Sequence, residues 1–121
     1  GGSNVISAWD KGGIAVRFEL VKHPSNAQLT QVNATYTNSN PVPVHNFVFQ
    51  AAVPKHAKLQ VNPASANTLP PSNTGTATQV FRIANPLHAE KMMAMKVKIT
   101  YTLNGQQVTD MGTVEGFPPG V

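Results

Sequence analysis

The chain has 121 residues, 40% of them hydrophobic and 12% charged, with no cysteine and a net charge of +4. That length serves a single hydrophobic core, and the composition is that of a folded rather than a disordered chain. Lack of cysteine excludes disulfides and thiolate metal sites, no apolar run approaches the roughly 20 residues that span a bilayer, and the charge is too small and dispersed to argue for nucleic acid.

Ten prolines and nine glycines, with abundant Thr, Val and Asn, favour strands and turns over helices. Gly1-Gly2-Ser3 reads as a cloning remnant, leaving residues 4–121 as one domain. After Gly12-Gly13, the residues Ile14, Val16, Phe18 and Leu20 alternate with polar neighbours and predict a half-buried strand. His23-Pro24-Ser25-Asn26 is a turn. Thr30, Val32, Ala34 and Tyr36 form a second inward set, with Gln31, Asn33 and Thr35 outward. A polar loop from Asn38 to Pro43 leads into the strand Phe47-Val48-Phe49-Gln50-Ala51-Ala52-Val53, in which Phe47, Phe49, Ala51 and Val53 share one face. Pro54 has no N–H for a ladder, so pairing is expected to stop there and set Lys55 at a strand end.

Lys58 to Val61 reads as a short strand, and the proline-bearing segment from Asn62 to Thr74 as a surface loop. Thr76 to Ala84 is a further strand, ended by Asn85-Pro86; Leu87 to Lys91 has room for no more than a helical turn. Met93, Met95, Val97, Ile99 and Tyr101 face one side of the next strand, and Ala94, Lys96, Lys98 and Thr100 the other. Asn104-Gly105 is a strong hairpin signal that returns the chain along Gln107 to Val114, and Pro118-Pro119 closes the domain. Seven or eight short antiparallel strands with evenly spaced turns predict an all-β, immunoglobulin-like β-sandwich.

Catalysis finds little support. The five carboxylates, Asp10, Glu19, Glu90, Asp110 and Glu115, show no spacing of a paired acid and base. His23, His45, His56 and His88 stand apart, with no His-x-His pattern or adjacent carboxylate for a metal. No glycine-rich phosphate loop or Gly-x-Ser-x-Gly elbow is present. No enzyme activity, metal or cofactor is expected. The sequon Asn33-Ala34-Thr35 has a meaning only in a secreted chain and otherwise reflects a Thr-rich strand.

Binding is better founded. Lys96 and Lys98 leave one sheet face about 7 Å apart, with Ala94 leaving a gap beside them. If this strand neighbours the end of Phe47–Lys55, then Lys55 and Lys96 flank a shallow surface floored by Ala52, Val61 and Ala94. Lysine stems wall an aromatic ring while their ammonium groups stay in water. The competing reading, which the residues by themselves leave open, is a solvated lysine face that keeps an antiparallel sheet soluble.

The run FVFQAAVPK, with Thr74-Gly75, Thr78-Gln79-Val80, Asn85-Pro86, Lys98-Ile99-Thr100-Tyr101 and Gly116-Phe117-Pro118-Pro119, resembles the gamma-adaptin ear. This is the appendage domain of the AP-1 clathrin adaptor, shared with the GGA adaptors, and the resemblance runs from about Trp9 onward. It implies a non-catalytic domain that binds short motifs of cytosolic accessory proteins: an aromatic residue, Gly, an acidic residue or Pro, then a large apolar residue. Carried over position by position, it implies a peptide site of Ala52, Lys55, Val61, Pro63, Ala94, Lys96 and Thr113. Animal members carry a basic-apolar-basic triplet where this chain has Ala94-Met95-Lys96, and a glutamate where it has Thr113. The resemblance further implies a place on the cytosolic face of the trans-Golgi network, endosomes and clathrin-coated vesicles. Other adaptor subunits would be met through the rest of a longer, gamma-adaptin-like chain, with no nucleic-acid partner and no direct membrane insertion. The alternative class is an extracellular Ig-like adhesion or carbohydrate-binding module, which suits the sandwich and the sequon but gives no reason for FVFQAAVPK; a purely structural spacer is a third.

Overall fold

The computed structural model describes residues 3–86, 93–115 and 117. Eight strands follow in order: β1 (Ser3–Lys11), β2 (Ile14–Lys22), β3 (Leu29–Asn38), β4 (Val44–Ala52), β5 (Lys58–Val61), β6 (Ala77–Ala84), β7 (Met95–Leu103) and β8 (Gln106–Val114). They build two antiparallel sheets, one ordered β1-β2-β3-β6-β5 and the other β4-β7-β8. The expected all-β sandwich is thus the fold observed.

Alternation dictates the packing. Ile14, Val16, Phe18 and Leu20 on β2 and Val32, Ala34 and Tyr36 on β3 are buried against Phe47 and Phe49 on β4 and Met95, Val97, Ile99 and Tyr101 on β7. Aromatic edges and faces fill the centre, with Phe18 meeting Phe49 edge-on at 5.9 Å between ring centroids and Tyr36 lying 4.8 Å from Phe47. Val44 and Phe47 are both buried although three residues apart, which strict alternation forbids. The register shift between His45 and Val48, with Asn46 at a positive φ of 54°, supplies the extra residue.

Three features depart from the sequence reading. β1 was not expected: it begins at Ser3, turns at Gly12-Gly13, where both φ values are positive, and pairs with β2. A bulge near Ala8 weakens its alternation, which hides it from a period-two search. The 62–74 segment is not wholly superficial, because Leu69 is fully buried and exchanges backbone hydrogen bonds with Val44 in both directions, at 3.0 and 2.8 Å. This strap also takes the Phe47 N–H at Asn67 O, covering the upper part of the β4 edge. Met93 is buried but precedes β7 rather than opening it. The Leu87–Lys91 turn, Gly1-Gly2, Gly116 and Pro118-Pro119 lie outside the described residues.

At one lateral seam, Trp9 of β1 packs so closely on Gly112 of β8 that a Cβ there would stand 2.7 Å from Trp9 Cζ3. Lys11 reaches Asp110 at 3.3 Å across the same seam. The β1 and β8 edges are therefore joined on that side, which leaves the β4 and β5 edges together on the other.

Candidate functional site

β4 ends at Ala52, two residues before Pro54, as the missing N–H requires. The chain then turns, with Ala57 N–H donating to Pro54 O at 3.0 Å, and the turn carries Lys55 outward. Beside it, β7 pairs with β4 so that Lys96 stands opposite Ala52, and β8 pairs with β7 so that Thr113 stands opposite Lys96. Ala52, Lys96 and Thr113 thus form one row across the outer face of the three-stranded sheet. Met93 and Met95 are both buried, which turns the intervening Ala94 to this same outer face.

An open depression of about 440 Å3 lies here, lined by Ala52, Lys55, Ala94, Lys96 and Thr113 together with Val53 and Pro54. Five of the seven residues anticipated from sequence are brought together. Val53 and the prolyl ring of Pro54 were missed as wall residues; their signal was plain adjacency, since a chain that runs from Ala52 to Lys55 around a hollow must line it in between.

Val61 and Pro63 do not line this depression, so the anticipated floor of Ala52, Val61 and Ala94 loses its middle member. The reason is topological: Val61 ends β5, the edge strand of the other sheet, and Pro63 lies in the loop that follows. Val61 pairs with the buried Phe81 and so leaves from the core-facing side of its sheet, yet it is 49% exposed. It stands at the mouth of the open seam between the β4 and β5 edges.

The electrostatics of the depression are simple. The only ion pair among the described residues, Lys11 with Asp110, lies at the opposite seam. Lys55 and Lys96 are exposed and have no hydrogen bond or ion pair with any described residue. They stand as solvated cations beside small apolar side chains, an arrangement that suits an acidic group next to a ring. No cluster of three or more His, Asp or Glu able to hold a metal occurs among the described residues. Asn33, the sequon residue, is tied within its sheet face, donating to Glu19 Oε1 at 3.2 Å and accepting from Gln31 Nε2 at 2.9 Å.

Comparison with known proteins identifies the framework. Residues 4–118 match the family model described as the adaptin C-terminal domain. The AP-1 complex subunit gamma-1 of Arabidopsis thaliana is 41% identical over 116 residues, covering 96% of this chain and 13% of that protein. The ADP-ribosylation factor-binding protein GGA3 of Homo sapiens is 34% identical over 120 residues, covering 94% of this chain and 16% of that protein. This chain therefore spans only a small part of the length of such relatives. The crystal structure of the yeast GGA1 GAE domain superposes with a TM-score of 0.85 at 20% identity, over 95% of this chain and all of that one, which establishes the shared fold. Matched from end to end in both sequence family and architecture, the chain belongs to the adaptin C-terminal domain family and is a gamma-adaptin ear domain.

Proposed function

We propose that this ear is a non-catalytic recognition domain of a clathrin adaptor that captures short aromatic–Gly–acidic/Pro–apolar motifs of accessory proteins. The single observation that carries the reading is the convergence of Ala52, Lys55, Ala94, Lys96 and Thr113 on one open depression. These residues come from two strand ends, a turn and a third strand. The aromatic ring lies on the alanines between the lysine stems, and the acidic residue of the motif meets Lys55 or Lys96. Val61 and Pro63, on the β5 edge and the loop after it, form a separate rest for the second large apolar residue. The family likeness to AP-1 gamma subunits and GGA proteins supports a role in vesicle transport on the cytosolic face of the trans-Golgi network and endosomes. Other adaptor subunits engage the remainder of the longer chain.

The test is a titration of the isotope-labelled domain with a peptide of that pattern, read by backbone amide shifts. Shifts centred on Ala52, Lys55, Lys96 and Thr113 are expected. Silence of Lys55 and Lys96 at millimolar peptide, or shifts confined to the outer face of the five-stranded sheet, removes the reading.

A further inference from the structure

The outer face of the three-stranded sheet continues beyond the depression. In the row Ala52, Lys96, Thr113 two side chains are small, so Lys96 alone stands up as a ridge. The neighbouring row is Gln50, Lys98, Met111. Between the two rows lies a second, wide-open hollow of about 270 Å3, crossing β7 between the stems of Lys96 and Lys98, with Gln50 on the β4 side and Met111 on the β8 side. Ala52 and Lys96 line both hollows, so the two are continuous.

Two properties of this second hollow are unexplained by folding. Met111 is 72% exposed, more than any other large exposed hydrophobic residue described, and so contributes almost nothing to the core. A flexible, polarizable thioether held out on a rigid strand suits apolar partners of variable shape. Secondly, the face carries two lysines and no carboxylate between the two rows. Asp110 is engaged with Lys11 at the β1–β8 seam, and Glu115 lies two residues beyond Thr113, away from Met111. A second copy of the chain would set these lysines against each other, whereas an acidic segment complements them.

We infer that the hollow bounded by Lys98 and Met111 is an extension subsite for the bound peptide. It takes an acidic residue at Lys98 and a large apolar residue against Met111, both outside the four-residue core motif. The inference rests on the peptide-binding reading above, and it extends the recognition surface by one further row along the same sheet face. Lys96 serves both hollows; Lys98 and Met111 serve only the second.

The experiment compares a core peptide, of aromatic–Gly–acidic–apolar pattern, with the same peptide lengthened by Glu-Leu-Glu at its N-terminal or its C-terminal side, and with Ser-Gly-Ser controls. Binding is followed by fluorescence anisotropy at low salt and by the methyl resonance of Met111. One of the two acidic extensions should bind about tenfold tighter than the core, the sum expected of one partly buried apolar side chain and one exposed ion pair. It should also shift the Met111 methyl and the Lys98 amide. Met111→Thr and Lys98→Gln should each cut that gain while leaving core-peptide affinity and the melting temperature unchanged. Equal binding of core and extended peptides, with the Met111 methyl unmoved, overturns the subsite and leaves the core reading intact. A core peptide that moves neither Lys55 nor Lys96 overturns the core reading and the subsite together.

Discussion

Replacing Lys55 with glutamate separates recognition from folding. The side chain is exposed in the turn after Pro54, and no described residue bonds or pairs with it. Its removal leaves no buried partner unsatisfied, so the folding free energy should change by no more than about 0.5 kcal/mol. At about 2.1 cal/mol/K per residue for unfolding entropy, that is a shift of roughly 2 °C in Tm. Binding responds differently. An exposed ion pair contributes about 0.2–1 kcal/mol, and reversing the charge both deletes the attraction and adds a repulsion of similar size. A loss of about 0.4–2 kcal/mol follows, or roughly 2- to 30-fold in Kd, which at its upper end carries a weak complex beyond a practical titration. The assay is isothermal anisotropy against a core peptide at two salt concentrations, with a melt of each protein. The loss should shrink as ionic strength rises, because the Debye length falls to about 8 Å near physiological salt. A drop of 10 °C or more in Tm would assign Lys55 a structural part instead, and unchanged affinity would remove it from the site.

Four further outcomes follow from the coordinates. Ala94→Arg should raise affinity for an acidic core peptide about three- to fivefold at low salt, since it adds a third cation to a depression already lined by Lys55 and Lys96, and the gain should vanish at high salt. Gly112→Leu should lower stability by about 1–3 kcal/mol in thermal melts, because even a Cβ meets Trp9 Cζ3 at 2.7 Å. Asn38→Ala should cost about 2–3 kcal/mol in urea denaturation: the buried Asn38 Nδ2 donates to Val42 O at 2.9 Å and its Oδ1 accepts from the Asn40 backbone, and both partners lose that bond. Tyr36 is held neutral by burial, its phenol pushed far above the ordinary 10.0 and donating to Gln79 Oε1 at 2.7 Å. The raised folded value means this stabilisation is complete below about pH 10 and declines as pH rises above it. Tyr36→Phe should therefore flatten the alkaline limb of a stability–pH curve while leaving the curve below pH 9 parallel to the parent's.

The core was legible because its strands obey one rule. Ile14, Val16, Phe18 and Leu20 on β2, Val32, Ala34 and Tyr36 on β3, and Met95, Val97, Ile99 and Tyr101 on β7 recur at every second position and are all buried; over those runs period and burial coincide. Where the rule is locally broken, the reading failed. In β1 the bulge near Ala8 mixes the two faces, and in the strap Leu69 is a single apolar residue whose burial depends on a long-range bridge to Val44. The site was half legible for the same reason. Alternation puts Ala94, Lys96 and Lys98 on an outer face, and Pro54 ends β4, but neither fact makes β4 and β7 neighbours. That is a matter of sheet order, and the resemblance supplied it. Sheet order also explains Val61: four residues of β5 say nothing of the sheet they join, and pairing with β6 sends Val61 to the open seam rather than to the depression.

The shape of the depression sets how tightly it can hold anything. Its floor is alanine and its walls are lysine stems, a short apolar turn and a threonine, so a ring laid on it keeps part of its surface in water. An aromatic side chain offers about 150–250 Å2, and burying some two-thirds at ~25 cal/mol per Å2 yields roughly 2.5–4 kcal/mol. Adding one further apolar residue and one exposed ion pair brings the gross gain to about 4–8 kcal/mol. Against this stands an association cost of at least about 4 kcal/mol for lost freedom. The net for a single core motif is thus a weak and rapidly reversible complex. Greater strength requires either more contact per peptide, which the hollow beside Lys98 and Met111 provides, or more peptides per assembly, since a second tethered motif binds at an effective concentration near millimolar. The two routes are distinguishable without naming a partner. Extension should slow dissociation from an isolated domain, whereas repetition of the core motif should do so only when several domains share one surface.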